Sequence, residues 1–482
     1  MLPDGSLLPR SAPSAAGVSA RAVRALLDRL EEGPGEMHSL MVVRRGSVVA
    51  EGWWAPYTAD RPHLLYSLTK SFTAMAVGLA VADGVLSLED RVVDVLPEHV
   101  PDDASEQARR LTVDHLLTMT TGHAANSLLD AWELEPGDLT KGFLRVPFTD
   151  PEGTHHFYDD ATTYVLARMV ERATGRDLPD LLDERIFAPM GIDHAEWDRV
   201  GSGAVFGFHG LHLTTEAVAA FGELLLRGGR WGDRQLVPRD WVERATTRRV
   251  DSTSTRDDGT DAGADFQCGY GYQVWMSRHG FHGNGAYGQQ CVVVPEADLV
   301  VVVTQQGDSQ PVFDALWECL LPGIDGDDAG EAESGADDAA LAERLRGLAL
   351  PPVAGLNDAG RSTAARLDGT VEGSALPDGT SVTVKPAADG WVLRLGDEAA
   401  VKVGSGAWRE SAPLGRPVVA SGAWVAGRFV ADLCVITTPH RVRVTIDDAA
   451  GAATATWSTP PLTTTDLTRH LRAPLMTRPD VA

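Results

Sequence analysis

The sequence predicts an α+β domain over residues 1–322, an acidic flexible linker over 323–340 and a small all-β barrel or sandwich over 341–482. Three observations carry this. Strand-like runs stand at both ends of the first 322 residues with helical stretches between them, so one sheet is assembled from the two ends. Gly323 to Asp338 is acidic, rich in Gly and Ala, and without a large apolar residue after Ile324, the composition of a linker. Beyond residue 341, short strands separated by turn residues dominate, which favours a small closed or two-layered β fold.

Taken in order, Ala20 to Leu30 carries Val23, Leu26, Leu27 and Leu30 on one stripe and predicts an amphipathic helix. Ser39–Val43 and Ser47–Glu51 flank Arg44-Arg45-Gly46 and predict a hairpin. A helix beginning near Ser67 runs through Met75, Leu79 and Val81 and stops at Asp83-Gly84. Its apolar residues recur on more than one face, as in a helix buried inside a domain. Helices follow at Thr162 to Gly175, Leu178 to Phe187 and Thr215 to Arg227, then a polar insertion from Asp251 to Asp265. Strands return at Tyr270–Met276, Gln289–Val294 and Leu299–Thr304. In the tail, a short helix at Leu341–Leu348 precedes strands at Ser381–Val384, Trp391–Leu395, Trp424–Val435, Val442–Ile446 and Thr454–Trp457.

Composition excludes several functions. A formal charge of -26 disfavours nucleic acid and anionic membrane as partners, since both need a basic face. The most apolar run, Asp298 to Thr304, has the length of a strand and not of a membrane span. Cys268, Cys291, Cys319 and Cys434 are scattered, without a Cys-x-x-Cys pair or a histidine cluster, so buried free thiols are expected and neither metal nor cofactor. The amino-terminal residues lack the charged start and apolar core of a secretory signal, and a cytoplasmic protein is expected.

Chemistry concentrates first in Leu64-Leu65-Tyr66-Ser67-Leu68-Thr69-Lys70-Ser71. Residues three apart share a helix face, so the Ser67 hydroxyl and the Lys70 amine come within hydrogen-bond reach. A neutral lysine there can take the serine proton, and the helix amino terminus favours the ionised nucleophile. Ser-x-x-Lys is a loose pattern, but this chain has only four lysines, Lys70, Lys141, Lys385 and Lys402. Arginine carries nearly all the positive charge and cannot serve as a base, whereas a desolvated lysine can. A second stretch, His155-His156-Phe157-Tyr158-Asp159-Asp160, offers Tyr158 as a proton relay to the leaving group, though taken by itself it reads first as an ordinary tyrosine capping a core edge. A third, Phe281-His282-Gly283-Asn284-Gly285-Ala286-Tyr287-Gly288, is dense in glycine between two strands. It is either a hairpin turn or a strand edge whose N–H joins that of Ser67 in an oxyanion hole.

The order of these stretches resembles the serine hydrolases of the class C β-lactamase type, in which Ser-x-x-Lys precedes Tyr-x-Asn and then Lys-Thr-Gly or a His-Gly variant. Further phrases agree: Ala82-Asp83-Gly84 with Leu86-Ser87-Leu88-Glu89-Asp90, Leu116-Leu117-Thr118-Met119-Thr120-Thr121-Gly122, Pro189-Met190-Gly191, and Gly288-Gln289 followed by Pro295-Glu296-Ala297-Asp298-Leu299. The resemblance covers about Val42 to Gln306 and is nearest the esterase and nylon-oligomer amidase branch. It implies a β-lactamase/transpeptidase-like domain, an antiparallel sheet flanked by helices with an all-helical region. It also implies Ser67 as the acylated nucleophile, Lys70 as its base, and Tyr158 as second base and leaving-group acid. The oxyanion N–H beside that of Ser67 comes from Gly285 or Ala286, and His282, Asn284 and Asp160 are expected at the substrate.

Two departures shape the expected substrate. Asp160 stands in place of the family's asparagine, and an acid near Lys70 favours its charged form. His282 replaces the third-motif lysine that holds substrate carboxylates. A small neutral ester or amide is therefore expected. The rivals are a D-amino-acid amidase or peptidase that grips an amine with Asp159-Asp160, and a non-catalytic binding protein whose working part is the tail.

Overall fold

The computed structural model describes residues 2, 5–199, 203–253, 263–325, 331–358 and 360–473, with backbone alone for 331–334. Its described residues fall into two compact units. One takes those up to Gly52 together with Leu65–Gly347; the other takes Trp53–Leu64 and those from Leu348 onward. No local pattern marks Trp53–Leu64 as a member of the second unit.

The first unit opens with helix α1 (Ala20–Glu31), capped by Ser19, whose side chain accepts from the Ala22 N–H. Val23, Leu26, Leu27 and Leu30 are all buried, as the stripe predicts. Strands β1 (Glu36–Arg44) and β2 (Ser47–Trp53) join through Arg45 and Gly46, both at positive φ, the two-residue turn that matches strand twist. Helix α2 (Thr69–Ala82) is buried continuously from Thr69 to Ala80, and Gly84 at φ 70° lies just past its end. Helices α3 (Asp160–Thr174) and α4 (Thr215–Leu226) follow.

Four more strands complete the sheet: β3 (Trp275–Ser277), β4 (Gly280–Gly285), β5 (Gln289–Val294) and β6 (Leu299–Gln306). The order is β2-β1-β6-β5-β4-β3, with the amino-terminal hairpin inserted beside the last strand. The β1–β6 pairing is antiparallel and sets Met41 against Val302. Gly222 brings α4 against the sheet at Val300 and Cys291, where a side chain would not fit. The strand expected at Tyr270–Met276 is shorter than predicted: only Trp275–Ser277 pairs as a strand, and Tyr270 contributes isolated bridges. Part of the polar insertion, 254–262, lies outside the described residues.

The expected flexible linker needs correction. Over Glu331–Arg346 the chain is helix α5. Ala, Glu and Asp in this stretch are compatible with helix, and its charges find partners on α1: Asp337 takes Arg21 at 2.5 Å and Arg24 at 2.7 Å, and Arg344 takes Glu31 of α1. Composition registers the charge but not the arginines waiting for it. Residues 326–330 of the expected linker lie outside the described part.

The second unit is an eight-stranded closed barrel: β7 (Thr363–Leu367), β8 (Ser381–Ala387), β9 (Gly390–Leu395), β10 (Ala399–Ser405), β11 (Val418–Val425), β12 (Arg428–Cys434), β13 (Arg441–Asp447) and β14 (Ala452–Trp457). Neighbours pair antiparallel except β10–β11 and β14–β7, the two parallel seams that close the ring. Alternate residues, among them Val382, Val384, Trp391, Leu393 and Leu395, fill a buried core with Phe429 and Leu433. The single strand expected over Trp424–Val435 is in fact two, turned at Ala426 and Gly427, both at positive φ. Among the described residues no helix is long and apolar enough to cross a membrane.

Candidate active site

Ser67 lies in a 3-10 turn, Tyr66–Leu68, that runs directly into α2. Tyr66 adopts φ 49°, a left-handed conformation unusual for an aromatic residue and costly unless the surroundings hold it. Lys70 follows in the first turn of α2, and only 1 % of its surface is exposed. Its Nζ donates to Ser67 Oγ at 2.9 Å, to Asp160 Oδ1 at 2.6 Å and to the Phe208 carbonyl at 3.4 Å. The Tyr158 ring lies 4.7 Å away, centroid to Nζ. Three of the predicted residues, Ser67, Lys70 and Tyr158, are thus brought together with Asp160.

The protonation of Lys70 is set by opposing effects. Burial works against its charge, but Asp160 first and Tyr158 second more than offset it, and the pKa is raised. Lys70 therefore rests as an ammonium ion at neutral pH. Asp160 begins α3 and also accepts from Asn126 Nδ2 at 2.8 Å through its other oxygen, while its own N–H donates to Asn126 Oδ1 at 3.3 Å. Asn126 is a site residue that sequence reasoning missed. It comes from a loop 32 residues upstream of Tyr158, and only the fold reveals that this amide meets the acid at 160.

The neighbouring acid has a different job. Asp159 caps α3, accepting from the Ala161 N–H at 3.0 Å, and takes the Ser127 N–H and Oγ at 3.1 and 2.7 Å. It is 1 % exposed, so it is spent on structure and cannot join Asp160 in gripping an amine.

Tyr158 is held flat against Trp275, with centroids 5.4 Å apart and 18° between planes, and edge-on to Tyr270. Gln273, at φ 58° and buried, ties the surrounding elements together. Its carbonyl accepts from Ser71 on α2, its Oε1 from Thr163 on α3, and its Nε2 donates to the Leu116 and Leu117 carbonyls. It too escaped the sequence reading, since nothing local marks a glutamine in a strained turn as a hub.

Strand β4 splits the third motif between its two faces. Gly283 and Gly285 face the Ser67 turn, where a Cβ on the first would meet Leu68 and Ser71 and on the second the Leu65 carbonyl. Period-two alternation sends His282 and Asn284 the other way. His282 is fully buried among Phe266, Phe313 and Trp275 and hydrogen-bonds Ser277 Oγ at 2.6 Å; burial pushes its pKa down to about 3. Asn284 accepts from Ser309 Oγ at 2.7 Å. The expected substrate role of His282 is therefore corrected: it is packed behind the strand, while Asn284, half-buried, faces the same side. Gly285 remains beside the Ser67 turn, with the Gly288 N–H closing the hairpin onto the Gly285 carbonyl at 3.1 Å.

Comparison with known proteins gives the family. A 6-aminohexanoate-dimer hydrolase of Paenarthrobacter ureafaciens is 28 % identical over 302 residues, spanning 58 % of this chain and 74 % of that protein. Esterase EstB of Burkholderia gladioli is 33 % identical over 152 residues, 28 % of this chain and 38 % of the esterase. Among solved structures, EstCE1, a hydrolase with promiscuous acyltransferase activity, superposes with a TM-score of 0.51 at 16 % identity, over 62 % of this chain and 97 % of its own; that likeness concerns the fold. The Beta-lactamase family model matches residues 27–318, and on that match the chain belongs to the β-lactamase family and is an enzyme of the serine hydrolase class.

Proposed function

We propose that this hydrolase cleaves a small neutral ester or amide through an acyl-enzyme on Ser67. The observation that carries the reading is the 2.9 Å contact from Lys70 Nζ to Ser67 Oγ, at the amino end of a buried helix. Because Lys70 rests protonated, it acts as a base only after handing a proton along its 2.6 Å bond to Asp160 Oδ1. The neutral amine then takes the Ser67 proton as Oγ attacks the carbonyl. Backbone N–H groups of Ser67 and of Gly285 or Ala286 receive the oxyanion. Tyr158 gives its phenolic proton to the leaving group and recovers one from Lys70; water reverses the sequence to release the acid.

Neutral substrates fit because the third-motif position offers no cation: His282 is buried, and its low pKa keeps it uncharged. The relatives named for an amide dimer and for an ester point to the same two bond types. A D-amino amide is the second reading, favoured by Asp160, whose side chain keeps 20 % exposure. The proposal includes a cytoplasmic place of action, which cell fractionation checks.

Ser67→Ala is expected to abolish hydrolysis of p-nitrophenyl butyrate and labelling by a fluorophosphonate probe. Undiminished turnover by that variant overturns the assignment. Intact-mass detection of adducts across esters, D-alanyl amides and β-lactams separates the ester, amidase and non-catalytic readings.

A further inference from the structure

The loop Phe206–Leu211 runs beside the Ser67 turn and is fastened to it at several points. The Leu65 N–H donates to the Leu211 carbonyl at 2.9 Å, the Leu211 N–H to Thr69 Oγ1 at 3.3 Å, and Thr73 Oγ1 to the Gly207 carbonyl at 2.7 Å. The Phe208 carbonyl receives Lys70. On its far side the loop is braced by a buried pair: the Asp198 N–H donates to the Gly210 carbonyl at 2.8 Å, and Asp198 Oδ1 holds His212 Nε2 at 3.1 Å.

At the centre of this fastened loop stands His209, 5 % exposed. Its ring stacks on Tyr66, centroids 4.9 Å apart and 28° between planes, while Tyr287 meets Tyr66 edge-on at 5.2 Å. Tyr66 is the residue held at φ 49° immediately before Ser67. His209 Nδ1 is buried and has no hydrogen-bond partner among the described residues. The protein thus uses the flat ring and leaves that nitrogen idle. Burial also lowers the His209 pKa to about 4, with Asp198 and Asp160 opposing and His212 and Lys70 assisting, so the stacked ring is neutral beside the Lys70 ammonium.

We propose that His209 is a positioning residue: its ring clamps the strained Tyr66 backbone and thereby fixes the direction in which Ser67 presents its hydroxyl. The clamp rests on the assignment of Ser67 as nucleophile and goes beyond it, since His209 acts through Tyr66 and not on the substrate. Misplacing a nucleophile by about 1 Å costs on the order of 100-fold in rate. The effect belongs in kcat and in the rate of probe labelling, not in KM.

The test compares wild type, His209→Phe, which keeps a ring, and His209→Asn, which keeps polarity but not the ring. Melting temperature, kcat and KM for p-nitrophenyl butyrate, and the fluorophosphonate labelling rate are read for each. His209→Phe is expected to hold kcat within about threefold, and His209→Asn to lose about 10- to 100-fold in kcat and labelling rate with KM little changed. A folded His209→Asn with wild-type kcat overturns the clamp, as does a folded His209→Phe that is as impaired as Asn. Should Asn not fold, Phe alone decides, with a kcat below about a third of wild type counting against the clamp. Should Phe not fold either, a flat ring does not suffice at this position, and the clamp is overturned. Wild-type protein that the probe does not label on Ser67 overturns the nucleophile assignment instead, so the two failures are distinct.

Discussion

Gly285→Ala is the sharpest test of how closely β4 must approach the nucleophile. A Cβ on Gly285 would fall far inside the van der Waals limit of the Leu65 carbonyl oxygen, 3.0 Å from the Leu65 carbonyl carbon and 3.1 Å from Gln289 Cβ. Ordinary Cβ contacts begin near 3.4 Å. The obstructing atoms are backbone and a Cβ, so no rotamer change relieves the overlap. The strand and the Leu65–Ser67 turn must part by about 1 Å, and overpacking of this kind costs about 1–3 kcal/mol of stability. A displacement of that size between nucleophile and oxyanion donor lowers kcat by about 100-fold. Gly283→Ala provides the graded comparison, because its Cβ meets the side-chain atoms Leu68 Cδ1 and Ser71 Oγ, which can turn aside. Gly137→Ala, with nothing within 4 Å, is the neutral control. Steady-state hydrolysis of p-nitrophenyl butyrate and thermal melts on the three variants are the assays. Wild-type kcat and melting temperature in Gly285→Ala would refute the claim that this glycine sets the approach.

Three further outcomes follow from the same structure. Asp160→Asn removes the group that contributes most to keeping Lys70 protonated, so burial then dominates and the acid limb of the kcat/KM profile moves to lower pH, each unit being tenfold in neutral lysine; an unmoved limb refutes Lys70 as the titrating base. Glu171 is pushed up to about 7 by burial, with Asp177 adding to it, so the folded state binds a proton that the unfolded state releases above about 4.5. Stability contributed below that value is lost as pH rises toward 7, and Glu171→Gln, which has no such proton, should gain about 1–3 kcal/mol on wild type across that window in chemical denaturation; a constant difference refutes it. Gly335→Ala, within α5 and with open space around its Cβ, should stabilise by about 0.5–1 kcal/mol in the same assay, and a loss would count against the helix at that position.

What the sequence made legible, and what it hid, divides along physical lines. Ser67 and Lys70 were readable because a three-residue spacing on a helix fixes two side chains on one face. The stripe of α1 and the stop at Gly84 were readable for the same local reason. The third motif was readable only to its strand, because a period of two sends neighbours to opposite faces and a one-residue uncertainty exchanges substrate side for core. His282 fell on the core side. Asn126 and Gln273 lie 32 and 115 residues from Tyr158 in sequence, and His209 lies 143 from Tyr66, a proximity created by the fold alone. Asp159 and Asp160 offered themselves together as a grip for an amine, yet one became the helix cap and the other the partner of Lys70, a division decided by which carboxylate finds the free N–H of α3.

That division bears on what the pocket can accept. An asparagine at 160 would leave the buried Lys70 ammonium without its main countercharge, and a lysine so desolvated would neutralise. With aspartate there, Lys70 stays charged but the pair is neutral as a whole. Around it stand Tyr158, Trp275 and Phe208, whose rings carry no charge, and the position that would hold a cation for a carboxylate is occupied by a buried, neutral His282. A substrate carboxylate would therefore meet Asp160 with no separate cation to hold it. A neutral carbonyl compound needs only the backbone donors beside Ser67. The carboxylate that keeps Lys70 charged is thus expected to disfavour anionic substrates as well, and loss of discrimination against carboxylated esters in Asp160→Asn would tie both effects to one residue.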